Sequence, residues 1–274
     1  MKRIPPVGSE DAATAAPAGM VDDLPGIGLT EEALSFARAY LADGPMDPAV
    51  VDRFQSPERI AARQSAAALL RTSDWPALGH YRDANRALAG QTVRAVFIGD
   101  SLTEMWGAAH PDLFSGGVLN RGVSGQTSPQ ILLRFMPDVV SLRPRIVHLM
   151  CGANDVAGNT GPTTPQDYKD NIRAMADLAA ANGITMILAG ITSFDCLSWA
   201  PHITGTVARL AELNLWLAGF ARERGLVHAD YSSVLATPEG ALKPIFTRDG
   251  VHPTRRGYDA MRPIVEAALA KARA

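Results

Sequence analysis

Val96-Phe97-Ile98-Gly99-Asp100-Ser101-Leu102-Thr103-Glu104-Met105-Trp106 is the stretch on which the reading of the whole chain turns. Its first three residues are large and apolar without polar alternation, as in a strand buried on both faces. Gly99-Asp100-Ser101 then turns the chain, and a helix-forming segment follows. Strand, tight turn and helix make the opening unit of a parallel α/β sheet. Ser101 has Glu104 three residues on, which is the capping-box pattern, and this gives its hydroxyl one reading, as the cap of the helix. The same position suits a nucleophile presented at a strand end. The serine elbow pattern G-x-S-x-G is not met, because Thr103 stands where the second glycine would be. The stretch alone leaves both readings open.

Working outward, apolar runs of strand length recur at 94–98, 117–120, 145–150, 184–191 and 226–230. Helical patterns lie between them at 102–108, 128–141, 165–182 and 204–224, with a last one at 254–272. Runs apolar on both faces, alternating with helices, predict a three-layer α/β/α sandwich around a central parallel five-stranded sheet. Upstream, Asp47-Pro48 and Ser56-Pro57 each put a capping residue before a proline at the first helical position. Short helices are predicted at 30–43, 47–54, 57–71 and 74–88, forming an N-terminal helical extension. Residues 1–28 are rich in Ala, Pro and Gly and read as a loosely attached arm. Gly26-Ile27-Gly28 has no strand before it and carries no dinucleotide signal. The chain is thus expected to divide into an arm and extension over 1–90 and an α/β domain over 91–274.

The chain has 274 residues, 47 % of them apolar, enough for a sizeable core. A formal net charge of −2 without a basic stripe argues against nucleic acid as a partner. Cys151 and Cys196 are the two cysteines and form no metal-spaced pair. Neither a zinc site nor a disulfide framework is expected, and Cys151, at the end of an apolar run, reads as a buried inert thiol. No apolar run reaches the roughly 18 residues of a membrane span. Lys2 and Arg3 are followed by Pro5, Pro6, Glu10 and Asp11 rather than by an apolar signal core. A cytoplasmic location is expected for the chain as it stands, and a periplasmic or secreted one if a signal segment has been removed.

In a parallel sheet ligands bind beyond the carboxyl ends of the strands. Residues after the apolar runs are therefore the candidate site. They are Gly99-Asp100-Ser101, the block Asn120 to Thr127, Gly152-Ala153-Asn154-Asp155, the loop 192–203 and Asp249-Gly250-Val251-His252. A serine hydroxyl is a weak nucleophile until a base takes its proton, and a carboxylate commonly orients that base. Asp249 and His252, three apart in one loop, have a spacing that lets the carboxylate hold one ring nitrogen while the other faces Ser101. His148 and His228 fall inside strand runs and read as core residues, His80 lies in the extension, and His110 and His202 lie in loops. Acyl transfer also needs donors for the developing oxyanion. The Ser101 N–H, the Gly125 N–H and the Asn154 amide are candidates. Each taken alone is ordinary turn chemistry.

Together, and in this order, the blocks resemble the SGNH hydrolases, also called GDSL esterases and lipases. G-D-S-L-T at 99–103 looks like the nucleophile block, and N-R-G-V-S-G-Q-T at 120–127 like the oxyanion glycine block. G-A-N-D at 152–155 and D-G-V-H at 249–252 match the remaining two. The resemblance covers about 94–272 and implies a flavodoxin-like sandwich and cofactor-free ester hydrolysis. It also implies Ser101 as nucleophile, His252 as general base, Asp249 as its orienting group, and Ser101, Gly125 and Asn154 as the oxyanion hole. Asp100, Phe194 and Trp199 are expected to contact substrate, and Trp106 to be core. Absence of a broad apolar run favours short-chain or acetyl esters, acetylated carbohydrates among them. Lysophospholipase, thioesterase or arylesterase chemistry on the same machinery, or a non-catalytic glycan- or acyl-binding module, are the alternatives. The extension, which the family's minimal fold does not need, is expected to brace the sheet edge, shape the site or mediate homo-oligomer assembly.

Overall fold

All five residues of β1 (Ala95–Gly99) are buried, so the strand needs neighbours on both edges and helices on both faces. The computed structural model, which describes residues 30–197 and 200–273, supplies both. β1 pairs in parallel with β2 (Val118–Gly122) and β3 (Ile146–Met150), which places Gly99 level with Gly122 on one side and Met150 on the other. β4 (Thr185–Ala189) and β5 (Val227–Ala229) extend the sheet, giving the order β2-β1-β3-β4-β5 with every pairing parallel. This is the flavodoxin-like order, whose switch point lies at the carboxyl ends of β1 and β3.

The N-terminal segment forms α1 (Glu31–Leu41), α2 (Pro48–Phe54), α3 (Pro57–Ser73) and the short α4 (Arg82–Arg86). Asp47 and Ser56 cap α2 and α3 as their sequence predicts, each accepting a backbone N–H. The long helix predicted at 74–88 is instead a series of turns ending in α4. Asp74 accepts the N–H groups of Leu78 and Gly79 at 2.8 and 2.7 Å, so its carboxylate organises a turn rather than a helix start.

The two faces of β1 feed two core layers. Val96 and Ile98 pack with α6 (Ser128–Asp138), α8 (Pro165–Ala181) and α9 (Thr206–Arg224). Ala95 and Phe97 pack with α5 (Ser101–Ala109) and α11 (Arg255–Arg273). Leu41 at the end of α1 joins this second layer, which docks the extension onto the domain. Trp106 is fully buried there, edge-on to Phe97 with ring centres 5.9 Å apart, as expected of a core residue. Two four-residue helices, α7 (Ala153–Val156) and α10 (Ser232–Leu235), are too short for periodicity to reveal. The helix predicted at 128–141 ends at Asp138, and a 3₁₀ turn follows at Val140–Leu142. Among the described residues no helix is long and apolar enough to cross a membrane.

Candidate active site

Ser101 does not cap α5. The N-cap is Asp100, whose Oδ1 accepts the Leu102 N–H at 3.0 Å, and Ser101 becomes the first helical residue. Its hydroxyl is therefore released from capping, and its Oγ lies 3.0 Å from His252 Nε2. The capping-box expectation fails because Glu104 is engaged elsewhere: its Oε2 accepts the Ser124 N–H at 3.2 Å and the Ser124 hydroxyl. Gly99 explains the first letter of the block. A Cβ there would run into Met150 O and Thr103 Oγ1, so strand, turn and helix can approach this closely only without a side chain.

His252 Nδ1 lies 2.7 Å from Asp249 Oδ2, so one carboxylate holds the ring while the opposite nitrogen faces Ser101. The other carboxylate oxygen accepts the backbone N–H groups of Val251 and His252 at 3.0 and 2.8 Å. Burial alone would push the Asp249 carboxyl up. The His252 ring and these N–H donors outweigh it and hold the carboxyl well below its usual range. Asp249 is thus an anion across the working range.

A further group arrives from α1, 209 positions away in the chain. Tyr40 Oη lies 3.1 Å from Asp249 Oδ1 and 2.8 Å from the His252 carbonyl, and it accepts the Arg248 N–H at 3.1 Å. Burial, and then the charge of Asp249, raise its pKa further above neutrality, so it remains a donor. The Arg248 guanidinium in turn donates to the carbonyls of Tyr40, Ala42 and Gly44 at 2.8, 2.7 and 2.6 Å. The extension therefore clamps the Asp249–His252 loop. Tyr40 has no signal in the sequence, because nothing local distinguishes it from a core tyrosine.

The donors expected for an oxyanion gather at the same edge. Gly125 has φ +80° and lines the same cavity as Ser101. The Asn154 amide is buried and donates to Gln126 O at 2.9 Å and to Asp100 Oδ2 at 3.3 Å, while its oxygen accepts from Asn159 at 2.6 Å. Behind this edge stands Arg134, fully buried, which donates to Gln126 Oε1 at 2.7 Å, Asp138 at 2.6 Å and the Arg121 carbonyl at 3.1 Å. Asp155 accepts the Ser128 N–H at 2.9 Å and so holds the start of α6. Sequence reading placed Asp155 in a candidate block without a role and missed Arg134. The trace of Arg134 is an Arg-Asp pair at i,i+4 on the face of α6 that also carries Ile131 and Phe135.

Other expected residues stand elsewhere. Asp100 cannot touch substrate as anticipated: it is fully enclosed, and burial pushes its carboxyl up to about 7. Phe194 is also fully enclosed and belongs to the core, bordering the site only from beneath. Trp199 lies outside the described residues. His148 is buried against Phe97 and bonded to Tyr231 Oη at 2.8 Å, and burial lowers its pKa to about 3. His110 bridges Trp106 Nε1 at 3.2 Å and Asp259 at 2.8 Å, a structural role. Cys151 is buried, with its thiol pKa raised by that burial. Among the described residues no group of three His, Cys, Asp or Glu could hold a metal ion. Ser101 and His252 open into a cavity of about 1190 Å3 whose far wall is α1 and α3.

A serine within reach of a histidine, itself held by a carboxylate, beside backbone N–H groups on a glycine loop, can carry acyl transfer. Comparison with known proteins identifies the family. Residues 97–260 match the GDSL-like lipase/acylhydrolase family. A candidate acylhydrolase from Bacteroides fragilis is 39 % identical, with TM-score 0.70, over 73 % of this chain and 98 % of its own. A GDSL-like lipase from Bacteroides thetaiotaomicron is 37 % identical, with TM-score 0.70, over 73 % of this chain and 100 % of its own. The uncharacterised lipoprotein YqeF of Bacillus subtilis is 32 % identical over 74 residues, which span 26 % of this chain and 30 % of that protein's length. The extent of the family match and the similarity to these two solved structures together establish that this chain belongs to the GDSL-like lipase/acylhydrolase family of ester hydrolases.

Proposed function

We propose that this protein is a serine-dependent carboxylic ester hydrolase working through an acyl-enzyme. The observation that carries the reading is the hydrogen-bonded line from Ser101 Oγ to His252 Nε2 at 3.0 Å and from His252 Nδ1 to Asp249 Oδ2 at 2.7 Å. Ser101 Oγ attacks the ester carbonyl as His252 takes its proton. The resulting oxyanion is met by the N–H groups of Ser101 and Gly125, which have no acceptor among the described residues. Asn154 joins them if its amide gives up the longer of its two bonds, the one to Asp100 at 3.3 Å. Collapse expels the alkoxide, which leaves as the alcohol with the proton from His252. Water, deprotonated by the same imidazole, then attacks the acyl-serine, and collapse returns the proton to Ser101 and releases the carboxylic acid. Asp249 remains ionised throughout and stabilises the imidazolium of each step.

A fluorophosphonate probe on the folded protein is expected to label Ser101, and Ser101→Ala to abolish both labelling and p-nitrophenyl butyrate hydrolysis. Undiminished hydrolysis by a pure Ser101→Ala preparation refutes the assignment. The sequence-based preference for short acyl groups rested on the lack of a broad run of exposed apolar residues that would form a lipid-docking lid. That criterion does not detect a lining contributed by residues spaced along several helices, and the cavity is far larger than an acetyl group requires.

A further inference from the structure

Three helical stripes face one another beside Ser101. On α5 the stripe runs from Ser101 through Met105 and Ala108 to Pro111 just past the helix end. On α1 it is Ala33, Phe36, Ala37 and Tyr40, at helical spacing. On α3 it is Ala62, Ala66 and Leu70. The space between them is the cavity of about 1190 Å3 already described, and it reaches Ser101 and His252 without interruption. Ala33 and Ala37 on α1, Ala62 and Ala66 on α3 and Ala108 on α5 leave room between the larger side chains of these walls.

α3 is unusual for a helix of 17 residues, because none of its residues is buried. It is held to the extension by polar and aromatic contacts at its margins. Arg59 pairs with Glu32 of α1 at 3.1 Å, and the Arg63 guanidinium lies 3.9 Å from the ring centre of Phe54 in α2. Its Ala62-Ala66-Leu70 face therefore gains nothing from a protein core. An apolar face that borders a reactive serine and lacks protein packing is matched by an apolar part of the substrate.

We infer that α1, α3 and the outer face of α5 form a trough for the acyl chain of the substrate, which is a medium- to long-chain fatty acyl ester. The inference rests on the ester hydrolase reading above and adds the identity of the acyl group. From Ser101 to Pro111 the trough follows ten residues, about 15 Å at 1.5 Å per helical residue. At about 1.2 Å per bond in an extended chain, this takes up on the order of a dozen carbons. Full burial of a methylene is worth about fourfold in affinity. This trough is open along one side, so about twofold per methylene is expected.

The test is a series of p-nitrophenyl esters from acetate to hexadecanoate, below their solubility limits, with wild type, Ala66→Trp and Ala37→Phe. Wild-type kcat/KM should rise about 50-fold or more from butyrate to decanoate, then level off near twelve carbons. Each bulky variant should lower the decanoate-to-butyrate ratio of kcat/KM by tenfold or more. Ala66 lies on an exposed helix face, so its replacement folds, and Ala37 reports independently from the opposite wall. Butyrate hydrolysis with no gain along the series refutes the trough while leaving the hydrolase reading intact. A gain that both variants leave untouched refutes the position assigned to it. Hydrolysis of no ester, with Ser101 unlabelled, refutes the hydrolase reading and the trough together. Light scattering on the same samples completes the test: a dimer that buries α3, together with a flat series, assigns the face to a second copy of this chain and overturns the proposal.

Discussion

Replacing Tyr40 by Phe removes one oxygen and keeps the ring, so it isolates what the extension does for catalysis. That oxygen meets three groups: Asp249 Oδ1 at 3.1 Å, the His252 carbonyl at 2.8 Å and the Arg248 N–H at 3.1 Å. Asp249 keeps its bonds from Val251 N–H, His252 N–H and the imidazole, so the carboxylate is loosened rather than freed. A hydrogen bond to a charged group contributes about 1.5–3 kcal/mol. If most of this orients the imidazole in the transition state, kcat/KM falls about 10- to 100-fold. The sign of the pH effect follows from the same bond. Loss of a donor makes Asp249 a stronger base, which favours the imidazolium form of His252. The acidic limb of the kcat/KM profile should therefore move to higher pH. A purely structural role for Tyr40 would lower the melting temperature without moving that limb. Stopped-time hydrolysis of p-nitrophenyl butyrate between pH 4 and 9, beside thermal unfolding, reads both quantities. A folded Tyr40→Phe protein with unchanged kcat/KM and an unmoved limb refutes the clamp.

Two further outcomes concern groups beside the nucleophile. Asn154→Ala should lower kcat by about 100-fold or more with a much smaller change in KM, as for an oxyanion donor; steady-state kinetics with the opposite split would remove it from the oxyanion hole. Asp100 is held near 7 in the fold by burial, against 3.8 as an ordinary carboxyl, so the folded state keeps its proton more tightly than the unfolded chain. Its contribution to stability is then full below about pH 4 and is lost as the pH rises through about 7, by at most about 4 kcal/mol. Asp100→Asn has no such loss, and urea unfolding should show the variant gaining on wild type across that window; parallel pH dependences would count against the assignment.

How much of this was readable in the chain differs from residue to residue. The run at 94–98 announced a buried parallel strand, since an unbroken apolar run has no solvent face. Asp47 and Ser56 announced helix starts, because capping is settled within one turn. Ser101 was located, but the stretch alone left its hydroxyl between capping and attack: Asp100 and Ser101 are both good caps, and only the close approach of β1, α5 and the glycine loop decides between them. Asp100 and Phe194 were placed at the substrate because they neighbour the motif or the loop, whereas their enclosure depends on what packs over them.

The sequence by itself determined the five strands, the longer helices, their parallel alternation and the four blocks of the candidate site, because periodicity, capping and turn chemistry act over a few residues. Tertiary structure alone decided the strand order, the release of Ser101 toward His252, the burial of Arg134 beneath the glycine loop and the reach of Tyr40 to Asp249. It also decided the acyl trough, whose walls are single residues three or four apart on helices far separated in the chain. These features depend on contacts between distant segments, and a local pattern carries no record of which distant residue will fill the space beside it.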